Sequence, residues 1–181
     1  NGDGDYDAGI DALLAGATVQ LFASDGATEI NVGPDGILGT ADDAAGGVIT
    51  GAGGAYNFNG LPAGDYIVRV TPPVGFTSAV DTAAPADTTD PDANTDNNDN
   101  GIGITGGAVS SGALTMTPGE VAANITITNT TGSTSDPTVD FGFVRAYSLG
   151  NRVWFDTNNN SALDAGELGV DGVLVELYAA D

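Results

Sequence analysis

The run Asp156-Thr-Asn158-Asn-Asn160-Ser-Ala162-Leu-Asp164-Ala-Gly-Glu167 carries side-chain oxygens at its first, third, fifth and ninth positions and a carboxylate at its twelfth. Calcium takes about six to eight oxygen ligands at roughly 2.3–2.6 Å, and a tightly wound loop that turns alternate residues inward supplies them. At position seven Ala162 can offer its backbone carbonyl, and Glu167 can close the cage with both carboxylate oxygens. The spacing predicts an EF-hand-type calcium loop. Its one departure is Ser161 at position six, where glycine ordinarily makes the sharp turn. The plain alternative is a metal-free turn between strands, since Asn and Asp also favour turns.

Three further clusters have related chemistry. At the start of the chain Asn1, Asp3, Asp5, Asp7 and Asp11 repeat the pattern, with Gly4 at the turn position and Asp11 as the residue able to close the cage. Asp35, Asp42 and Asp43 flank Gly36 and Gly39, and glycine lets carbonyls approach an ion closely. Asp90, Asp92, Asn94 and Asp96 place an oxygen at every second residue of a long polar stretch, which suits a hard cation. A hairpin loop and an acidic linker are the respective alternatives.

The rest of the composition removes competing chemistries. The 25 acids, 21 of them Asp, face only Arg69, Arg145 and Arg152, for a net charge of −22. Such a surface repels nucleic acid and anionic lipid. No Cys, His or Lys is present. Disulfides, thiolate metal sites, the commonest general base, Schiff-base chemistry and Lys–Asn isopeptide crosslinks are therefore absent from this segment. Paired carboxylates can hydrolyse glycosides, but every acidic cluster here is spaced as a loop ligand set, so no enzymatic activity is expected. Without disulfides, bound calcium is one staple left to an extracellular domain. Sequons occur at Asn124, Asn129 and Asn159; the last overlaps the first loop.

The elements that must hold these loops read as short strands. Candidates are Ala17–Ser24, Gly47–Thr50, Ala55–Asn59, Asp65–Thr71, Leu114–Thr117, Asn124–Thr130, Thr138–Val144 and Leu149–Asp156. In Asp65–Thr71 the alternation puts Tyr66, Val68 and Val70 on one face. No segment has a convincing helical period. An internal repeat organises the chain: Asn158, Asn160 and Asp164 match Asn1, Asp3 and Asp7 at an offset of 157, and Val175, Leu177, Tyr178 and Asp181 match Val19, Leu21, Phe22 and Asp25 at an offset of 156. The expected organisation is a β-sandwich unit over 1–146 and the opening of the next unit over 147–181. The strand before the loop at Asp156 has no counterpart ahead of Asn1. Either it lies outside this segment of a longer polypeptide, or a neighbouring molecule supplies it. No signal or transmembrane run appears within the segment.

The stretch GNRVWFDTNNNSALDAGELGVDGVLVELY resembles the opening of the B-type repeats of serine-aspartate repeat surface proteins. Gly54–Phe76 (GAYNFNGLPAGDYIVRVTPPVGF) is similar to the middle of that repeat and to the collagen-adhesin B-type family, and Val139–Val144 (VDFGFV) resembles the repeat junction. The resemblance implies an all-β, immunoglobulin-like or transthyretin-like β-sandwich with calcium-binding loops. It further implies an extracellular or cell-surface stalk, spacer or fibre subunit. The ligands it carries over are Asp156, Asn158, Asn160, Asp164 and Glu167, with Asn1, Asp3, Asp7 and Asp11 in the other copy. The expected cofactor is Ca2+. The expected partners are neighbouring repeat units, or a homopolymeric fibre with strand exchange; neither nucleic acid nor direct membrane insertion is expected. A ligand-binding adhesin domain, or a carbohydrate-binding accessory module of a secreted enzyme, is the alternative.

Overall fold

The computed structural model describes residues 6–79, 99–105, 107–116 and 138–178. The chain forms two units, Asn1–Ala146 and Tyr147–Asp181. In the first, alternation of β-branched and aromatic residues produces the two long strands β1 (Thr18–Ala23) and β4 (Gly64–Thr71). They pair antiparallel along their whole shared length, from Thr18 opposite Thr71 to Ala23 opposite Tyr66. Short strands flank this pair. On one side β1 pairs with β2 (Glu29–Ile30) at Leu21 and Phe22, and with β3 (Val48–Ile49) at Thr18 and Val19. On the other, β4 pairs with β7 (Ala108–Ser110) at Arg69 and Val70, and with β8 (Leu114–Met116) at Gly64 to Tyr66; β6 (Gly103–Thr105) follows β7. A second sheet joins β5 (Phe76–Ser78) to β9 (Phe143–Arg145).

The core lies on one face of the β1–β4 pair. Val19 and Leu21 from β1 meet Tyr66, Val68 and Val70 from β4, with Ala17, Val32, Val48, Leu114 and Val139 around them. The expected face of Tyr66, Val68 and Val70 is thus the buried one. Phe141 and Phe143 pack against this cluster from the side of the second sheet, which closes the sandwich. Every element among the described residues is a strand and every strand pair is antiparallel; the chain is all-β, in the manner of an immunoglobulin-like domain.

Some expected strands take another form. Ala55–Asn59 is an extended segment that meets its neighbour in one bridge, Ile37 to Asn59. Its backbone bonds go to a loop: Asn59 N–H donates to Gly36 O and Asn59 O accepts from Leu38 N–H. Tyr56 nonetheless anchors it, donating its hydroxyl to Val139 O at 2.6 Å. Over Thr138–Val144 the regular strand is confined to Phe143 onward, and Asp140 bridges Asp99 instead. Leu149–Asp156 makes one bridge, Trp154 to Gly169. Asn124–Thr130 lies outside the described residues. Gly47, just before β3, has φ 66, and a Cβ there would sit 2.0 Å from Val19 O, so no side chain fits.

Phe22 points to the face opposite Leu21, as strand alternation requires, yet it is only 6% exposed. The Arg69 guanidinium covers it, 4.0 Å above the ring centroid. Arg69 is held there by Ser110 Oγ at 3.0 Å and Gly26 O at 2.7 Å. Arg69→Ala would expose the ring and remove both bonds. The expected cost is about 1–3 kcal/mol, read as a lower urea midpoint. Arg69→Lys should recover only part, because an ammonium lacks the planar fork.

Candidate metal centre

In the second unit a short antiparallel ribbon gathers the ends of the 156–167 loop. Phe155 N–H donates to Leu168 O at 3.0 Å and Val170 N–H to Val153 O at 3.0 Å, on either side of the Trp154–Gly169 bridge. Inside the loop, Asp156 accepts from the N–H of Asn160 at 3.2 Å and of Ser161 at 2.7 Å. Asn158 Oδ1 accepts from Asn160 N–H, and Asn160 Oδ1 from Ala162 N–H. Both amides donate to Asp164 Oδ2, at 2.8 Å from Asn158 and 2.7 Å from Asn160. Glu167 reaches back across the loop: Oε1 accepts from Thr157 N–H at 2.9 Å and Oε2 from Asp164 N–H at 3.0 Å.

All five side chains expected from spacing therefore belong to one interlocked ring. Ser161 makes the turn that glycine would make, at φ 63, next to Asn159 at φ 58. Left-handed backbone in a non-glycine residue is uncommon and persists where its surroundings enforce it. Here the enforcing contact is the Asp156 carboxylate, which holds the N–H groups of residues 160 and 161 together. The donor set is oxygen only, the chemistry of a hard cation. Among the described residues no group of three or more acidic side chains is placed to hold an ion. An ion here would thus need amide and carbonyl oxygens as well. A half-turn of either Asn amide exchanges Nδ2 for Oδ1.

The electrostatics follow the same contacts. The Ser161 N–H, with those of neighbouring residues, holds the Asp156 carboxyl below its ordinary range, and the Asn158 and Asn160 amides do so for Asp164. Asp25, in the β1–β2 turn, shows this stabilisation most strongly. It accepts from Thr28 Oγ1 at 2.6 Å, Thr28 N–H at 2.8 Å and Ala27 N–H at 2.9 Å. Those bonds lower it from 3.8 to about 2. A folded pKa below the unfolded one contributes stability above the unfolded value that is lost as pH falls through the folded value. The urea midpoint should therefore drop as pH falls from 3.8 through about 2. Asp25→Asn should flatten that part of the profile.

The other expected ligands are placed as follows. Asp7 and Asp11 share a turn: Asp7 N–H donates to Asp11 Oδ2 at 2.9 Å and Asp11 N–H to Asp7 O at 2.9 Å. Asn1, Asp3 and Asp5 lie outside the described residues, as do Asp90, Asp92, Asn94 and Asp96. Asp35, Asp42 and Asp43 surround the Thr40 hydroxyl at 3.3, 2.7 and 3.4 Å. Gly39 N–H donates to Asp43, and Ile37 N–H to Asp35. The Thr40 hydroxyl lowers Asp42 most. What spacing did not reveal is Thr40 itself. A lone hydroxyl among carboxylates has no sequence signature.

The family model of the SdrD B-like domain matches residues 1–111 and 147–181. Among relatives, serine-aspartate repeat-containing protein D of Staphylococcus aureus is 32% identical over 151 residues, covering 80% of this chain and 9% of its own length. Serine-aspartate repeat-containing protein I of Staphylococcus saprophyticus is 33% identical over 126 residues, 68% of this chain and 5% of that protein. Colossin-B of Dictyostelium discoideum is 28% identical over 142 residues, 72% of this chain and 4% of that protein. The chain thus spans less than a tenth of the length of these relatives. No solved structure matches it. With a family match across both ends of the chain, and the order of motifs noted above, the chain belongs to the SdrD B-like domain family.

Proposed function

We propose that the chain is a calcium-stabilised structural repeat of an extracellular or cell-surface protein, acting as stalk, spacer or fibre subunit. The observation that carries this reading is the 156–167 ring: an oxygen-only loop whose turn, carboxylate cap and closing glutamate sit at the positions an EF-hand-type loop uses. Carboxylates so gathered repel one another, and a divalent cation removes that repulsion and rigidifies the loop. Asp156, Asn158, Asn160, Asp164 and Glu167 would hold it with the Ala162 carbonyl. Asp7 and Asp11 would contribute to the equivalent site in the first unit. Asp35, Asp42 and Asp43 are not by themselves placed to hold an ion and would need further oxygens to form another site. The internal repeat, and the small share of each long relative that the chain covers, fit one module of an array. Partners are then neighbouring repeat units. Among the described residues no helix is long and apolar enough to cross a membrane.

The adhesin alternative needs an exposed apolar surface, and the second unit has exposed apolar residues: Val175 (73%), Leu177 (83%) and Tyr178 (77%). Their repeat counterparts Val19, Leu21 and Phe22 are 1%, 1% and 6% exposed. They are core positions of a repeat rather than an adhesive patch, which favours the structural reading. The test is a calcium titration of chelated protein followed through Trp154, the single tryptophan, which lies in the ribbon that closes the loop. A saturable change lost in Asp156→Ala and Glu167→Ala supports the reading. A flat response, or one that both variants retain, removes it.

A further inference from the structure

We propose that the fold sorts two of the three Asn–Gly pairs in the chain into a more open and a closed site of spontaneous modification: Asn59–Gly60 forms succinimide from the folded chain, and Asn100–Gly101 is locked against it. This inference does not rest on calcium binding.

The chemistry needs only the chain and water. The backbone nitrogen after the asparagine attacks the side-chain amide carbon. A proton passes from that nitrogen to water, ammonia leaves, and a five-membered imide forms. Water then opens either imide carbonyl, giving aspartate or isoaspartate. Asparagine is thermolabile for this reason. A following glycine favours the step because no Cβ hinders the approach.

The two pairs differ in what holds the side-chain amide and the nitrogen that attacks it. The Asn59 side chain is exposed, and its Oδ1 accepts a long bond from Asn57 Nδ2 at 3.4 Å, while its backbone N–H and C=O pair with Gly36 O at 2.8 Å and Leu38 N–H at 2.9 Å. Asn100 is 2% exposed. Its side-chain Oδ1 accepts from Asp140 N–H at 2.8 Å while its own N–H donates to Asp140 O at 2.9 Å. The amide carbon to be attacked is thus held across to the Asp140 backbone. The attacking nitrogen is held too, since Gly101 N–H donates to Asp99 Oδ1 at 2.9 Å. Imide formation at Asn100 requires that these bonds open first.

Conversion at Asn100 would also prevent reclosure. Isoaspartate lengthens the main chain by one carbon between the N–H that meets Asp140 and the Ile102 N–H that meets Ser110 O at 2.8 Å. A unit that opens for long is therefore marked and kept open. The same change at Asn59 falls where the chain pairs with the 36–38 loop, not with a core strand.

The test is incubation of the whole chain at mildly alkaline pH, in native buffer and in concentrated urea, followed by peptide mass mapping and isoaspartate detection. In native buffer Asn59 should convert roughly tenfold or more faster than Asn100, whose rate is limited by local opening. In urea the two rates should become comparable, through a rise at Asn100. Equal rates in native buffer would overturn the lock. An Asn59 that converts in urea but not in native buffer would overturn the open site, and no conversion at Asn100 in urea would overturn the chemistry.

Discussion

Chelation should shift Trp154 emission and lower the unfolding midpoint followed through it, and calcium should restore both, with half-saturation at about 10⁻⁴–10⁻³ M, the range of extracellular modules. The proposed ligand set is the reason to expect a large effect in so small a unit. Asp156, Asp164 and Glu167 bring three negative charges into one loop, where the partners that hold them are neutral: side-chain amides, backbone N–H groups and the Thr157 hydroxyl. Binding to the folded loop alone adds about 2.7 kcal/mol when free calcium is a hundredfold above the dissociation constant. Asp156→Ala removes a proposed ligand and also the cap that holds Ser161 at φ 63. It should therefore weaken the loop even under chelation. Glu167→Gln keeps an acceptor for the Thr157 N–H but loses the bidentate carboxylate, so its defect should appear chiefly with calcium present. If chelator leaves the midpoint of the wild type unchanged, the acidic loops are surface, not cation sites.

Leu21→Ala should destabilise the first unit by about 2–5 kcal/mol. Leu21 is 1% exposed, sits opposite Val68 in the β1–β4 register, and leaves a cavity that two paired strands cannot collapse. In a domain of this size each kcal/mol moves Tm by roughly 3–5 °C. The repeat supplies an internal control. Leu177 occupies the matching position and is 83% exposed, so Leu177→Ala should change stability by no more than about 0.5 kcal/mol. Chemical denaturation of both variants decides the point. If Leu177→Ala costs as much as Leu21→Ala, then in solution something covers residues 174–178 as β4 covers β1.

Sequence by itself determined what is local. The period-two alternation at Thr18–Ala23 and Gly64–Thr71 identifies the two long strands and the face that carries Tyr66, Val68 and Val70, because a half-buried strand must alternate. The spacing of Asp156, Asn158, Asn160, Asp164 and Glu167 likewise brings them into one loop, because twelve consecutive residues leave little freedom. Tertiary structure decided what depends on partners distant in the chain. Strands β2, β5, β6 and β7 have only two or three residues each, too few for a period, and exist because a neighbour's backbone groups need pairing. Ala55–Asn59 alternates like a strand, but its partner is the 36–38 loop. Phe22 reads as core, yet its cover is the Arg69 guanidinium, which lies beside it only once β1 and β4 are in register. Leu21 and Leu177 share a pattern and differ in burial, since burial belongs to the strand that packs against a residue and not to the residue's own neighbours in the chain.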